Sequence, residues 1–258
     1  MNLKFRTENY SFEYTENNIK DTVVSERHCH SRFELIFVLS GNVKAVVEGT
    51  PYFLSSDHAI MIPPLSYHTV TSKKDGLYER IIVLFDKKAI PKILRSELVN
   101  GFSHGVVFSS KQTEDLKRIC KTGKFDPFYE PLAESAMIRA MYETIRSKDE
   151  TATDNTCRIL NRSISYINDH IYEKIRLKDI TAHAMCSQST VSHLFAEQIG
   201  TSPKQYIIQK KLALAKQLIR DGTPPTAAAL KIGYDNYSDF YRLYMKYNQK
   251  TPSDGKNG

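Results

Sequence analysis

The hydrophobic pattern changes period along the chain, and the changes divide it. Between residues 33 and 85 the apolar positions come in short runs rich in Phe, Tyr, Val and Ile: Phe33–Leu39, Val43–Val47, Tyr52–Leu54, Ala59–Ile62 and Arg80–Phe85. Turn-forming residues part them, among them Ser40-Gly41-Asn42, Gly49-Thr50-Pro51, Ser55-Ser56-Asp57, Pro63-Pro64 and Lys73-Lys74-Asp75-Gly76. Runs of that length and spacing predict strands, and residues 5–85 as a whole read as a sandwich or jelly-roll barrel. Residues 110–121 take on helical character. Residues 131–147 predict a clearer helix, with Pro131 in its first turn and Ala133, Ala136, Met137, Ala140, Met141, Thr144 and Ile145 along one face. That stripe packs on the barrel or on a second subunit. The stretch 88–105 fits neither period.

Residues 148–156 hold almost nothing apolar and read as a linker. Beyond them the period is helical throughout. Leu160, Ile164, Ile167 and Ile171 mark a helix over 157–171. The segment 177–199 reads as helix, tight turn, helix. Ile180, Ala184 and Met185 share one side of its first helix, and Ser187 caps the second, on which Val191, Leu194, Phe195 and Ile199 form the apolar stripe. Gly200 ends it. Ser202-Pro203-Lys204-Gln205 has the form of a capping box and opens a long helix over 203–220. Asp221-Gly222 stops that helix, a short one follows over 226–232, and Gly233-Tyr234 breaks it. Asn236 caps a last helix, 237–247, with Asp239 at the reciprocal position. The helix-turn-helix thus occurs twice, joined by a connector that spans about 27 Å. Successive major grooves on one face of B-DNA lie about 34 Å apart, so one chain can offer a recognition helix to each of two neighbouring grooves.

Charge sharpens the division. The chain carries +7 overall, and residues 158–258 hold 15 Lys+Arg against 8 Asp+Glu. Residues 1–157 balance at 21 of each, so the whole surplus sits in the helical part. That is the footprint of a nucleic-acid-binding domain beside a neutral partner. Four well-separated cysteines form no CxxC pair, and neither a zinc knuckle nor a disulfide framework follows from that spacing. Neither a signal peptide nor a membrane-spanning run is visible, and a cytoplasmic protein with reduced thiols is expected. No P-loop, dinucleotide fingerprint or nucleophile triad stands in a supporting context.

The strand-rich half carries His28-x-His30-x3-Glu34-x6-Gly41 and Pro63-x-Leu65-x2-His68. These resemble the two cupin motifs, with Leu65 where a glycine is usual. On one strand residues 28, 30 and 34 share a parity and face one interior, and His68 from another strand completes a three-His, one-carboxylate set of a kind that suits Fe, Mn, Ni or Zn. The other reading makes them polar walls of a small-molecule pocket, with Tyr52 and Tyr67 beside them. The pocket reading, with no metal or other cofactor, is the expectation.

The segment 160–252 is similar to the DNA-binding domain of AraC/XylS-type transcriptional regulators. Its landmarks include Ile180, Ala184, Ser187, Leu194-Phe195, Gly200, Ser202-Pro203, Tyr206, Ala215, Ile232-Gly233-Tyr234, Phe240, Arg242, Tyr244 and Thr251-Pro252. Lys211 stands where an arginine is usual, Ala228 replaces a bulky aliphatic, and Met245 and Gln249 also depart from the pattern. The resemblance implies an α+β chain, an N-terminal β-barrel (cupin/jelly-roll-like) followed by an all-α domain with two helix-turn-helix units. Its divisions are a sensing barrel over 1–110, a helical packing or dimerisation segment over 111–147, the linker 148–156 and the DNA-binding domain 157–252. It implies a homodimer and a regulator, with activation the usual mode, that binds promoter DNA under control of a small-molecule effector, commonly a sugar, and that contacts RNA polymerase. The base-edge candidates are Gln188, Ser189, Ser192 and His193, then Tyr237, Ser238, Tyr241 and Arg242. Arg242 is the strongest of them, since a guanidinium grips guanine in bidentate fashion. A salt bridge to Asp239 is its alternative. Lys204, Lys210, Lys211 and Lys246 are phosphate candidates. The competing reading is a metal-dependent cupin enzyme with a helical appendage, which the charge segregation disfavours.

Overall fold

The apolar run Phe33–Ser40 forms a strand whose two parities go to different places. Phe33, Leu35 and Phe37 join one buried cluster, while Ile36 and Val38 join another. A strand apolar on both faces must be covered on both, and that sets the layering of the first half. In this computed structural model, which describes residues 1–19, 23–72, 76–100, 105–109, 113–122, 128–147 and 158–257, the chain forms two units. One comprises 1–26 and 32–154, the other 27–31 and 155–258. The linker expected over 148–156 lies outside the described residues.

The first unit contains β1 (Asn2–Arg6), β2 (Tyr10–Ile19), β3 (Val23–Val24), β4 (Phe33–Ser40), β5 (Val43–Val47), β6 (Thr50–Leu54), β7 (His58–Ile62), β8 (His68–Ser72), β9 (Gly76–Phe85), α1 (Lys92–Asn100), β10 (Val106–Ser109), α2 (Thr113–Thr122) and α3 (Tyr129–Arg146). An antiparallel sheet runs β1-β2-β9-β4-β7-β10 and a second runs β3-β8-β5-β6. The expected barrel is therefore open, two sheets rather than one closed ring among the described residues. Ile36, Val38, Ile60 and Ile62 of the larger sheet meet Val43, Ala45, Val47, Leu54 and Val70 of the smaller in one core. The opposite face of the larger sheet carries Phe12, Phe33, Leu35, Phe37, Met61, Ile81 and Phe85, and the helices cover it.

That covering resolves what the α3 stripe packs on. Met137 and Met141 are fully buried in the same cluster as Leu35 and Ile81, with Ala133, Ala136 and Ala140 beside them. The stripe is core of its own unit, so it packs on the sheet and not between subunits. Within 88–105, which the pattern left unassigned, lies α1, and beyond it the four-residue β10 pairs with β7 at the edge of the larger sheet.

The second unit contains α4 (Arg158–Asp169), α5 (Leu177–Ala184), α6 (Gln188–Leu194), α7 (Pro203–Arg220), α8 (Pro225–Lys231) and α9 (Tyr237–Asn248). Its caps follow the sequence. Ser187 accepts from the Thr190 N–H at 3.1 Å, Ser202 from Gln205 at 3.3 Å and Asn236 from Ser238 at 2.8 Å. The box at α7 is only half made, because the Gln205 side chain accepts from the Thr201 and Ser202 hydroxyls instead of reaching a backbone N–H. Leu160, Ile164, Ile167, Ile171, Ile180, Ala184, Val191, Phe195 and Ile199 are buried as the stripes predict, Leu194 is half-buried, and Tyr206, Leu212, Ile219, Phe240 and Tyr244 are buried as well. Met185 is not. It is 82% exposed and forms the turn between α5 and α6 with φ 54°.

Leu65 holds the same backbone region, φ 61°, between β7 and β8. The position where a glycine is usual has kept its left-handed backbone while carrying a side chain. A left-handed L-residue costs about 1–2 kcal/mol, part of which glycine returns as unfolded-state entropy. Met185→Gly and Leu65→Gly are each expected to raise the stability of their own unit by up to about 1 kcal/mol, read as a shift in urea midpoint.

Candidate nucleic-acid interface and effector site

The base-edge candidates fall on two helices of the second unit, α6 and α9. On α6, Gln188, Ser189 and His193 are exposed and Ser192 is half-buried. On α9, Ser238, Tyr241 and Arg242 are exposed and Tyr237 is half-buried. Their placement follows from the buried faces, since Val191 and Phe195 turn α6 inward, and Phe240 and Tyr244 do the same for α9. Both helices border one groove of about 960 Å³. Ile175, Leu177, Ile207 and Ile208 line it with apolar surface, while Lys174, Lys204, Arg242 and Lys246 add cations. Ser192 reaches it from α6 and Asp239 from α9.

The cations differ in what holds them. Arg242 contacts the Asp239 carboxylate three residues back, which is the alternative the sequence offered, yet the guanidinium side chain remains 77% exposed. An exposed pair of this kind is worth little and leaves the guanidinium available. His193 stands 3.6 Å from Glu197, four residues further on. Lys204 and Lys246 are exposed, with Lys246 Nζ over the Tyr247 ring.

Lys210 and Lys211 are held differently, although Lys211 also borders the groove. They are 1% and 5% exposed on α7. Lys210 Nζ donates to Asn168 Oδ1 at 2.6 Å and to the Tyr206 hydroxyl at 2.8 Å. Lys211 Nζ donates to the Ile232 carbonyl at 2.5 Å and to the Glu173 carbonyl. Burial pushes the Lys211 ammonium down to about 8, against the opposing pull of the Glu173 carboxylate. Ammonium groups enclosed this way do not reach a phosphate at the surface, so both phosphate assignments are corrected.

In the first unit Glu34 and His68 come together. Glu34 shares the parity of Ile36 and so points between the sheets, where it is 5% exposed and His68 is 2% exposed. His68 Nε2 lies 3.0 Å from Glu34 Oε2, and His68 Nδ1 lies 2.8 Å from the Ser66 carbonyl. A carbonyl only accepts, so Nδ1 carries a proton. Burial disfavours the imidazolium, but the hydrogen bond and charge of Glu34, the Ser66 carbonyl and the charge of Glu48 outweigh it, and the His68 pKa is raised. Glu48 is 1% exposed with φ 49°. Its carboxylate accepts from the Tyr67 N–H at 3.0 Å, while its own N–H donates to the Tyr67 carbonyl at 2.8 Å. Tyr67 is buried and Tyr52 half-buried, the latter's hydroxyl pushed up to about 12 by burial. The interior is thus polar around Glu34, Glu48 and His68. Of these three, Glu48 was missed by sequence reasoning, because its partner is 19 residues away.

His28 and His30 are not on the expected strand. Strand β4 starts at Phe33, so neither histidine shares a strand with Glu34, and the parity argument does not reach them. They lie in 27–31, the stretch that groups with the second unit, with ring centroids 5.6 Å apart. The first unit itself supplies two candidate metal ligands, Glu34 and His68.

A ligand-binding sheet domain followed by a doubled helix-turn-helix defines a two-domain transcriptional regulator. Residues 9–122 match the AraC-like ligand binding domain, and residues 180–257 match the helix-turn-helix domain. The chain belongs to the AraC family of transcriptional regulators. LumQ of Photobacterium leiognathi, a probable transcriptional regulator by name, is 31% identical over 90 residues, 34% of this chain and 36% of that protein. YobQ of Bacillus subtilis, an HTH-type transcriptional regulator by name, is 24% identical over 230 residues, 88% of this chain and 86% of that one. The arabinose operon regulatory protein of Escherichia coli is 28% identical over 129 residues, 49% of this chain and 43% of that one. The structure of apo ToxT from Vibrio cholerae aligns at 12% identity over 96% of this chain and 97% of that chain, with a TM-score of 0.48. No helix among the described residues is long and apolar enough to cross a membrane.

Proposed function

We propose that this regulator reads promoter DNA with α6 and α9 of one chain in successive major grooves, under control of a small molecule bound by the sheet domain. The observation that carries this reading is the groove of the second unit. Both candidate helices border it, Lys204, Arg242 and Lys246 line it, and the whole chain's positive surplus lies in the same segment. Gln188, Ser189, Ser192 and His193 are the base-edge set on α6, and Tyr237, Ser238, Tyr241 and Arg242 the set on α9. Lys204 and Lys246 contact phosphates, which position without specifying. The test is a mobility-shift assay of the full chain with duplexes enriched from a random pool. Retarded duplex that responds to salt supports the reading, and no enrichment from the pool sinks it.

The effector enters the polar interior around Glu34, Glu48, His68, Tyr52 and Tyr67. These groups suit a small hydroxylated or amphipathic molecule, a sugar among them. The protein acts by binding rather than by catalysis, in the cytoplasm, and contacts RNA polymerase at the promoter.

We also propose a homodimer through the outer faces of α1 and α3. Ile93 is 86% exposed and Tyr142 54%, with Leu132 and Ile138 also exposed. Ile93, Ile138 and Tyr142 line one shallow depression. Single exposed apolar residues need no explanation, but a contiguous set does. Ile138→Glu with Tyr142→Glu is expected to shift the protein from dimer to monomer in sedimentation velocity, with secondary structure unchanged. Met137→Glu is expected to unfold the first unit instead.

A further inference from the structure

Two backbone segments of the second unit meet at a point that the DNA-reading helices do not explain. One is the connection between α4 and α5, which leads into the first helix-turn-helix. The other is the turn between α8 and α9, which leads into the second recognition helix. Three separate features hold them together. Lys211, in mid-α7, gives protons to both, to the Glu173 carbonyl of the first segment and to the Ile232 carbonyl of the second. Ile232 caps the C-terminal end of α8, where carbonyls lack helical partners and a cation is favoured. Gly233, with φ 79°, lets the backbones touch. A Cβ there would lie 2.8 Å from the Glu173 carbonyl carbon and 2.9 Å from its oxygen. Outside this contact, Lys174 Nζ pairs with Asp235 Oδ2 at 2.8 Å.

We propose that Lys211 is a positioning residue, a buried clasp that fixes the offset between α6 and α9 and so sets the base-pair spacing between the two elements of the DNA site. It touches no DNA. It acts because the two helix-turn-helix units share one connecting helix, α7, and the offset between them depends on how each is held to that helix. The clasp ties a segment of each to the middle of that helix. One ammonium has three protons to donate, and the two carbonyls come one from each unit. The inference rests on the reading that both helices dock on one site.

The test uses the full chain and a set of duplexes built on a site enriched from a random pool, with the two elements moved apart or together by one or two base pairs. Wild type is expected to prefer one spacing sharply. Lys211→Met is expected to lose affinity at that spacing by about tenfold, the effect of about one mismatched base pair, while its affinity at the altered spacings changes little. Lys211→Arg, which keeps charge and donors, is expected to restore the wild-type profile. A loss of stability alone would lower binding at every spacing alike, and melting curves report it separately. Should Lys211→Met not fold, Gly233→Ala and the exposed Lys174→Ala are expected to flatten the profile in the same direction. A folded Lys211→Met with the wild-type spacing profile overturns the clasp and leaves the two-groove reading standing, and so does an unchanged profile in the other two variants. A wild type that binds all spacings equally overturns both.

Discussion

Replacing Glu34 by alanine is expected to destabilise the first unit by about 3–5 kcal/mol near pH 6, since removing one partner of a buried pair strands the other charge. The pair in question is closed off from water, with the two side chains 7% and 1% exposed, so solvent does not screen it. The effect depends on pH with a definite sign. The His68 pKa is raised in the fold, so the stability it contributes is fully present below the unfolded histidine value of about 6.5. That contribution disappears as pH rises through the folded value. The gap between wild type and Glu34→Ala therefore narrows at alkaline pH, where His68 of the wild type gives up its proton and the pair loses its charge–charge attraction. The double variant Glu34→Leu with His68→Leu is expected near wild-type stability or above it, because an apolar pair of similar volume avoids the desolvation of two charges. Urea unfolding followed by far-ultraviolet circular dichroism at several pH values reads all three. A single-variant loss that does not change with pH would mean that the pair is not ionised.

The second large effect concerns DNA. Arg242→Ala is expected to remove about 1–3 kcal/mol of discrimination at one base pair while leaving affinity for other sequences little changed. Lys204→Ala and Lys246→Ala are expected to weaken binding to all duplexes alike. Each is also expected to lower the salt slope by about one unit, because one phosphate is no longer neutralised. Lys210→Met is the contrast. Its ammonium is 1% exposed and bonded to Asn168 and Tyr206, so the loss appears in melting temperature and not in the salt slope. Equilibrium binding of each variant across a salt series separates the three behaviours. Were Arg242→Ala to behave like the lysine variants, Arg242 would bind the DNA backbone.

What was legible in the sequence was local. The ends of α7 follow from Ser202-Pro203 at one side and Asp221-Gly222 at the other, and the observed span Pro203–Arg220 coincides with them. Capping depends on neighbours in the chain, and neighbours are what a sequence displays. The burial of Lys210 and Lys211 was also signalled, though less plainly. Lys210 falls four residues after the buried Tyr206, and Lys211 four before the buried Ala215. Charge was weighed above period there, and period was the better guide. The Met137 and Met141 stripe showed that a face is buried but not against what, because periodicity carries no information about the partner. Parity failed at His28 and His30 for a different reason. It holds only inside a strand, and this strand begins at Phe33. Glu48 and Glu79 gave no signal at all, since their partners Tyr67, Tyr14 and Lys117 lie far off in sequence.

The central claim is that one chain places two recognition helices on one DNA site. Its most direct test is hydroxyl-radical footprinting of the full chain on a duplex enriched from a random pool. The account predicts two protected segments on one face of the duplex, about 10 base pairs apart, with Arg242→Ala losing protection at the segment contacted by α9 and keeping the other. A single protected segment that persists in Arg242→Ala, or no enriched duplex at any salt concentration, would contradict it.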